Sequence, residues 1–301
     1  MIVLGGHGIR MPIPCVLAMG KFESIHTGHR ALINQMKELA HAQPGLATAL
    51  VVFEPHPYRV LVDVGYKPLY TRNERELLVR ELGVEYLLEY PFDRDIAALS
   101  PEDFCRKLFE ELQAKVIVVG EGYRFGYNRM GTVEILRRKA AQYDARIHVV
   151  AHKQALRGFA SYDEGILAGD AAKYGEIKTS TSTIRRLIAE GKLNEVAGLL
   201  GHLFFISGEV AQWIQPAGMD DFPTIVLCPH NEKFLPPDGV YATLTTIDGC
   251  CYRGVTSIAM CPTSAAELRS VETRLIGFNS CGDDLCGKYV RVEFGIGLDR
   301  S

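Results

Sequence analysis

No apolar run in the 301-residue chain approaches the ~20 residues a membrane-spanning helix needs. The opening Met1-Ile2-Val3-Leu4-Gly5-Gly6-His7 lacks the charged start and long apolar stretch of a signal peptide. A cytoplasmic chain without membrane partners is expected, with this end a short lead-in to a first strand. Excess charge is also lacking: 33 Lys and Arg stand against 36 Asp and Glu, a net charge of −3. A protein that grips a polyphosphate backbone is normally more basic, so nucleic acid is not the expected partner. A small phosphorylated substrate stays compatible, because a local basic site can sit inside a neutral total. No C-x-x-C pair occurs among the eight cysteines, which argues against a thiolate zinc site; reduced, mostly buried thiols are expected. No internal repeat or low-complexity segment is present.

What is there reads as an ordinary globular chain, 47% hydrophobic and 23% charged, which excludes a disordered or collagen-like protein. Its length suggests two domains at ~150 residues each. In the first two thirds, short apolar runs alternate with helical patterns. Val16–Met19, Ala49–Phe53, Tyr86–Leu88, Val116–Val119 and Ile147–Val150 read as strands. They recur every ~30 residues, the span of a βαβ unit. Leu32, Ile33, Met36, Leu39 and Ala40 have helical spacing. Asn73 with Glu76 suggests a helix start carrying Leu77, Leu78 and Leu82, and Ser100-Pro101-Glu102-Asp103 another, with Phe104, Leu108, Phe109 and Leu112 as its buried stripe. A further helix is expected around Val133 to Ala141. The expected class is α/β: a doubly wound parallel sheet with helices on both faces, whose ligands bind beyond the carboxyl ends of the strands.

The last third differs. Phe204–Ile206, Thr224–Leu227, Val240–Leu244 and Tyr289–Phe294 are β-rich runs separated by Gly, Pro and Asp turns, the pattern of a small β-barrel. Six of the eight cysteines fall here, after residue 227. The boundary is expected near Leu200-Gly201-His202, giving domains of 1–201 and 202–301.

Four segments carry the candidate chemistry. Gly20-Lys21-Phe22-Glu23-Ser24-Ile25-His26-Thr27-Gly28-His29 lies between the first of these strands and the first helix. Its H-x-G-H places two imidazoles at a helix start, where free N–H groups and the positive dipole end favour an anion. Gly28 allows close backbone approach. Such imidazoles can stabilise the charge that develops on a phosphate undergoing displacement. Two histidines at a surface turn is the bland alternative, and the spacing at a strand-to-helix switch weighs against it. Phe53-Glu54-Pro55-His56-Pro57 follows the next strand, and His56 can reach the same crevice; alone it is a Pro-rich turn. A zinc site from His26, His29 and His56 lacks an acidic or thiol partner and is not expected. Gly120-Glu121-Gly122-Tyr123-Arg124-Phe125-Gly126 fails the dinucleotide fingerprint in spacing and follows a late strand. A glycine-rich loop with Tyr123, Arg124 and Phe125 suits a flat aromatic ligand. Lys178-Thr179-Ser180-Thr181-Ser182-Thr183-Ile184-Arg185 opens a helix with hydroxyls and cations, an anion site or else an over-capped helix.

In order and spacing, these four segments resemble the prokaryotic bifunctional riboflavin kinase/FAD synthetase family. Its adenylyltransferase module carries G-x-F-D-G-x-H-x-G-H, F-x-P-H-P, G-x-D-F-x-F-G and I-S-S-T-x-I-R. The likeness continues through Glu190-Gly191 and Leu200-Gly201 into the β-rich third. It implies a nucleotidyltransferase: transfer of AMP from ATP to FMN, giving FAD and pyrophosphate, with Mg²⁺. Carried over, His26, His29 and Arg185 are the catalytic set. Gly20, Phe22, Gly28, His56, Gly120, Tyr123, Arg124, Phe125, Lys178, Thr181 and Ser182 line the nucleotide and flavin, and no protein metal ligands are implied. Glu23-Ser24 replaces the family's Asp-Gly, Gly122 an Asp, Tyr123 a Phe and Thr183 an Arg.

The same resemblance implies a six-stranded kinase barrel with a P-T-A-N turn for Mg·ATP. Here that turn is Pro223-Thr224-Ile225-Val226, after Asp220-Asp221, and the Val226 side chain has no oxygen for Mg²⁺ or a phosphate. Glu272 matches the family's catalytic base, Cys286 replaces a Tyr, and the family's closing helix is expected to be missing before Ser301. A degenerate kinase domain, with activity weak or lost, is therefore expected. A fully bifunctional enzyme, an H-x-G-H nucleotidylyltransferase with another acceptor, and a non-catalytic flavin- or nucleotide-binding protein are the alternatives.

Overall fold

The computed structural model describes residues 1–63, 65–151, 179–215, 222–229, 233–260, 269–278 and 284–297. Two compact units emerge: Met1–Tyr66 with Arg75–Glu164, and Lys67–Glu74 with Gly165–Ser301. The second unit thus includes a short segment drawn from the N-terminal part of the chain.

The first unit is an α/β sheet. Its elements are β1 (Ile2–Gly5), β2 (Cys15–Met19), α1 (Thr27–His41), β3 (Ala47–Glu54), α2 (Pro57–Leu61), α3 (Arg72–Glu81), β4 (Tyr86–Pro91), α4 (Arg94–Ala97), α5 (Pro101–Arg106), β5 (Ala114–Gly120), α6 (Val133–Ala140) and β6 (Arg146–Val150). The six strands run in the order β1-β4-β3-β2-β5-β6, and every pairing is parallel. The doubly wound parallel sheet expected from the alternation is present. Cys15, Leu17 and Met19 join one apolar cluster with Phe104, Leu108 and Leu136. Val16 and Ala18, equally buried, point to the opposite face, and α1 lies against β2, β3 and β5. Burial on both faces explains why these strands read as unbroken apolar runs.

Two expectations are corrected here. Ile2–Gly5 is itself a strand, paired with β4 at the sheet edge, and not a lead-in. The cap of helix α3 lies two residues before Asn73, at Thr71: Thr71 Oγ1 accepts from Glu74 N at 3.3 Å while Glu74 Oε2 accepts from Thr71 N at 2.8 Å. That reciprocal pair is a capping box on Thr71 and Glu74. The Ser100 start is as expected: its hydroxyl caps Asp103 N at 3.0 Å, with Pro101 in the first turn. Helix α5 runs on through a widened π-helical turn, Lys107–Glu111, that keeps Leu108 and Phe109 buried.

The second unit carries α7 (Thr181–Ala189) and α8 (Leu193–Leu200), then a closed barrel. Its strands are β7 (Phe204–Ile214), β8 (Thr224–Leu227), β9 (Gly239–Ile247), β10 (Cys250–Met260), β11 (Arg269–Ile276) and β12 (Tyr289–Gly297). They close in the order β10-β11-β8-β7-β12-β9, all antiparallel. Strands β10 and β11 are absent from the sequence reading. Part of the interior is a row of threonines: Thr256 Oγ1 lies 2.7 Å from Thr243 Oγ1 and 2.8 Å from Thr273 Oγ1. Gly254 makes room for them, since a Cβ there would lie 2.9 Å from the Arg274 carbonyl and 3.2 Å from Thr243 Oγ1.

The thiols need a correction too. Cys15 and Cys105 are buried, but Cys228, Cys250, Cys251 and Cys286 are exposed; all six are free. Cys261 and Cys281 lie outside the described residues. Among the described residues, no helix is long and apolar enough to cross a membrane.

Candidate active site

In the first unit, the sheet order reverses at β2 and β5: β3 follows on one side of β2, and β5 pairs on the other. Crevices at such switch points are where open α/β sheets bind ligands. The loops leaving the carboxyl ends of β2 and β5, from Gly20 and after Gly120, are two of the four candidate segments.

The Gly20–His29 loop is tightly bound into the fold. Phe22 and Ile25 are fully buried and both take left-handed backbone angles, φ 43° and 45°. For a β-branched residue such as Ile25 this is an outlier, costing about 1–3 kcal/mol. A Cβ on Gly20 would meet the Phe22 ring at 3.1 Å. The loop delivers His26 to the N-cap of α1, where its Nδ1 accepts from His29 N at 3.2 Å. An imidazole that accepts at Nδ1 carries its proton on Nε2. The cap therefore sets His26 as an Nε2–H donor. The His26 and His29 rings stack with centroids 3.8 Å apart and planes 8° apart. Gly28 is needed for this, because a Cβ there would lie 3.1 and 3.2 Å from the His26 ring. Burial, then the neighbouring His26 and Lys21, hold the His29 pKa well below the usual histidine value. His29 is thus neutral near pH 7. Its Nδ1 and the Thr27 hydroxyl are buried with no hydrogen-bond partner among the described residues. Buried polar atoms are rarely left so. Together with the free N–H groups at the start of a 15-residue helix, they form a cradle suited to phosphate oxygens.

His56 belongs to the same loop system. It caps α2, its Nδ1 accepting from Tyr58 N at 3.2 Å, so its Nε2 also carries the proton. That nitrogen lies 3.6 Å from Glu23 Oε2, and the ring stacks on Tyr66 at 5.1 Å. The structure therefore brings His26, His29 and His56 to one loop cluster with Glu23. Among the described residues, no group of three or more His, Cys, Asp or Glu could hold a metal. Glu23 and Tyr66 escaped sequence reasoning. The signal for Glu23 was its place inside the loop, where the family carries an Asp; Tyr66 had none.

The Gly120–Gly126 loop turns through a bond from Tyr123 N to Gly120 O, 3.0 Å. Its aromatics face inward. Tyr123 directs its hydroxyl at Met19 Sδ, 3.6 Å, and burial raises its pKa. Phe125 is buried, with its ring 5.6 Å from that of Phe104 and stacked with Tyr123 at 5.8 Å. Arg124 and Gly122 are exposed, and nothing stands within 4 Å of where a Cβ on Gly122 or Gly120 would lie. The open part of this loop is its backbone and Arg124.

The fourth segment lies in the second unit. Ser180 caps α7, with its hydroxyl 3.2 Å from Thr183 N and 2.9 Å from both Ser182 Oγ and Thr183 Oγ1. Thr181 opens the helix. Thr179 is buried with no partner for its hydroxyl among the described residues. Arg185 donates to the Lys67 carbonyl at 2.7 Å and lies 4.4 Å over the Phe234 ring. Lys178 lies outside the described residues.

On the barrel, Glu272 sits on the outward face of β11, exposed, directly across from Val226 on β8 and Ser257 on β10. Its near polar neighbour is Ser270 Oγ, 3.5 Å away.

The FAD synthetase family matches residues 9–159, and the riboflavin kinase family matches residues 200–297. A bifunctional riboflavin kinase/FMN adenylyltransferase of Escherichia coli K12 is 29% identical over 281 residues, covering 92% of this chain and 82% of that protein. A protein of the same description from Listeria monocytogenes is 30% identical over 245 residues, covering 81% and 71%. A solved structure from Streptococcus pneumoniae, described as a macrolide-efflux protein, superposes with a TM-score of 0.77 at 25% identity, over 100% of this chain and 92% of that one.

Proposed function

Since the chain belongs to the family that joins an FAD synthetase to a riboflavin kinase, we propose that its working reaction is transfer of AMP from ATP to FMN, with phosphorylation of riboflavin weak or lost. The chain is a nucleotidyltransferase with FAD synthetase as its matched activity. The H-x-G-H cradle is the observation that carries the first half. An FMN phosphate oxygen attacks the α-phosphorus of ATP, the bond from that phosphorus to the bridging oxygen breaks, and pyrophosphate leaves. Such a displacement needs positioning and charge stabilisation more than proton transfer. The Nε2–H of His26 and the buried His29 ring are donors fixed before the reaction, so they lose little on meeting the developing charge. His56, Gly20, Phe22 and Gly28 shape the same loop. Gly120, Tyr123, Arg124 and Phe125 would border the flavin, with Arg124 the exposed cation. Arg185, Thr181, Ser182 and Lys178 would bind the phosphates from the α7 segment.

Magnesium would arrive with the nucleotide. No described cluster offers a protein cage for it, and Mg²⁺ commonly rests on substrate phosphates and water. Its contribution there would be to neutralise phosphate charge. The functional division we propose is 1–201 for adenylyl transfer and 202–301 for the kinase-like barrel.

Val226 supports the second half. It occupies the outward position facing Glu272, where the family's turn places an asparagine oxygen. An isopropyl group offers neither a metal ligand nor a hydrogen bond. The retained Glu272 and Thr224 favour the bifunctional reading instead. Incubating the purified protein with Mg·ATP and either riboflavin or FMN, then separating the flavins, decides between them. FAD from FMN, with no FMN from riboflavin, is expected. FMN from riboflavin would restore the bifunctional reading, and no FAD from FMN would remove the main one.

A further inference from the structure

The second unit contains a buried cation that the adenylyl-transfer chemistry does not use. Lys233 is 2% exposed. Its Nζ donates to Glu74 Oε2 at 2.6 Å, to the Leu69 carbonyl at 2.7 Å and to the Phe205 carbonyl at 3.1 Å. The Tyr70, Phe204 and Phe205 rings stand 4.5, 4.9 and 5.8 Å from it. All three of its ammonium hydrogens have acceptors, and aromatic faces surround it. Glu74 is fully buried and equally well met. Its Oε2 also accepts from Thr71 N at 2.8 Å, and its Oε1 accepts from Ser207 N at 2.8 Å. A buried ion pair does little for stability over a well-packed apolar pair of the same volume, yet it fixes geometry closely. A chain needing only to tie residues 67–74 to the barrel could do so with leucines.

What the pair fixes is the first turn of α3. The next residue on that helix, Arg75, is also buried. Its guanidinium donates to Glu54 Oε2 at 2.6 Å and lies 3.8 Å from Glu89 Oε1. Glu54 ends β3, and Pro55 and His56 follow it directly. His56 Nε2 in turn faces Glu23 of the H-x-G-H loop at 3.6 Å. Each link is a named contact or a covalent neighbour.

We propose that Lys233 is a positioning residue for adenylyl transfer: it holds Glu74, and so sets the helix turn from which Arg75 holds Glu54 in front of His56. The barrel then serves the adenylyltransferase whatever its own chemistry, which gives a physical reason for keeping it in a chain with an altered kinase turn. This inference rests on the FMN adenylylation reading.

The test uses the full chain with Mg·ATP and FMN. Glu74→Gln removes the charge while keeping the shape and one carbonyl acceptor. The pair Glu74→Gln/Lys233→Met removes both charges and leaves no unpaired ion. Lys288→Met breaks the exposed Lys288–Asp248 pair of the same barrel and serves as control. The expected result is a kcat about tenfold lower in both Glu74 variants, because small misplacement of positioned groups is costly. The KM for FMN and native circular dichroism should be retained, and Lys288→Met should match the wild type. Wild-type kcat in folded Glu74→Gln protein would overturn the proposal, whether or not the double variant folds. If the wild-type chain makes no FAD, the adenylylation reading fails, and hydrogen exchange decides the positioning claim by itself. Amides of α2 and α3 should then exchange about tenfold faster in Glu74→Gln; unchanged exchange there would overturn it.

Discussion

His26 holds two jobs in one ring, and they can be separated. Its Nδ1 caps α1 by accepting from His29 N, and that same bond leaves Nε2–H as a donor for the phosphate cradle. His26→Ala removes both. Loss of an N-cap costs about 1 kcal/mol, which for a unit of this size lowers Tm by about 2–4 °C. Loss of one preorganised transition-state donor costs about 10²–10³ in kcat. His26→Asn separates the two effects, since an asparagine oxygen is among the best N-caps but cannot reach as far as Nε2. It should keep the wild-type Tm and still lose about 10²–10³ in FAD formation. The assay is initial-rate FAD production from Mg·ATP and FMN at saturation, paired with a thermal melt of each variant. If His26→Asn keeps its rate within threefold of wild type, which is about 0.6 kcal/mol, His26 is a cap only. If His26→Ala loses stability by the cap alone and keeps its rate, the same conclusion follows.

Other consequences follow from the same packing. Gly28→Ala should lower the FAD rate at least about tenfold, since the new Cβ lies within 3.2 Å of the His26 ring; with alanine favoured in helices by about 1 kcal/mol, the melt should not fall, and a rate loss that tracks a lower Tm would contradict this. His29 resists protonation in the fold but not in the unfolded chain. The unfolded state therefore binds the extra proton first, and stability should decline as pH falls below about 6.5, by up to ~1.4 kcal/mol per pH unit. His29→Gln should flatten that slope in urea titrations between pH 5 and 7, and an unchanged slope would place the effect elsewhere. Burial pushes the Cys15 and Cys105 thiols up to about 12. A thiol reagent at pH 8 should label Cys228, Cys250, Cys251 and Cys286 and spare these two until the chain unfolds, as peptide mapping would show.

The parts of this fold legible in the sequence are those whose physics is local. Strands such as Val116–Val119 are buried on both faces, so they carry an apolar run that survives any register. The H-x-G-H spacing announces itself because a helix start places residues three apart over one spot. The unread parts depend on distant partners. Strands β10 and β11 line the barrel partly with Thr256, Thr273 and Gly254, and their hydroxyls satisfy one another across strands. In β10 the inward positions are Gly254, Thr256 and Ile258, so little apolar alternation marks it, whereas in β11 Val271 and Leu275 alternate with charged residues around an inward Thr273. Two overlapping capping boxes are written at the start of α3, and the choice between them falls to Glu74, whose carboxylate is held by Lys233, 159 residues further on. The outward cysteines break the usual preference of thiols for the interior, and nothing in the structure explains their number. Glu23 becomes a site residue only when the fold sets it against His56.

The fate of each ATP phosphorus distinguishes adenylyl transfer to FMN from phosphorylation of riboflavin. The purified chain is given Mg²⁺ and ATP labelled at either the α- or the γ-phosphate, with FMN or riboflavin as acceptor. Adenylyl transfer without kinase activity gives α-label in FAD when FMN is supplied, γ-label released as pyrophosphate, and no γ-label on any flavin when riboflavin is supplied. Label from neither position reaching FMN-derived product would contradict it.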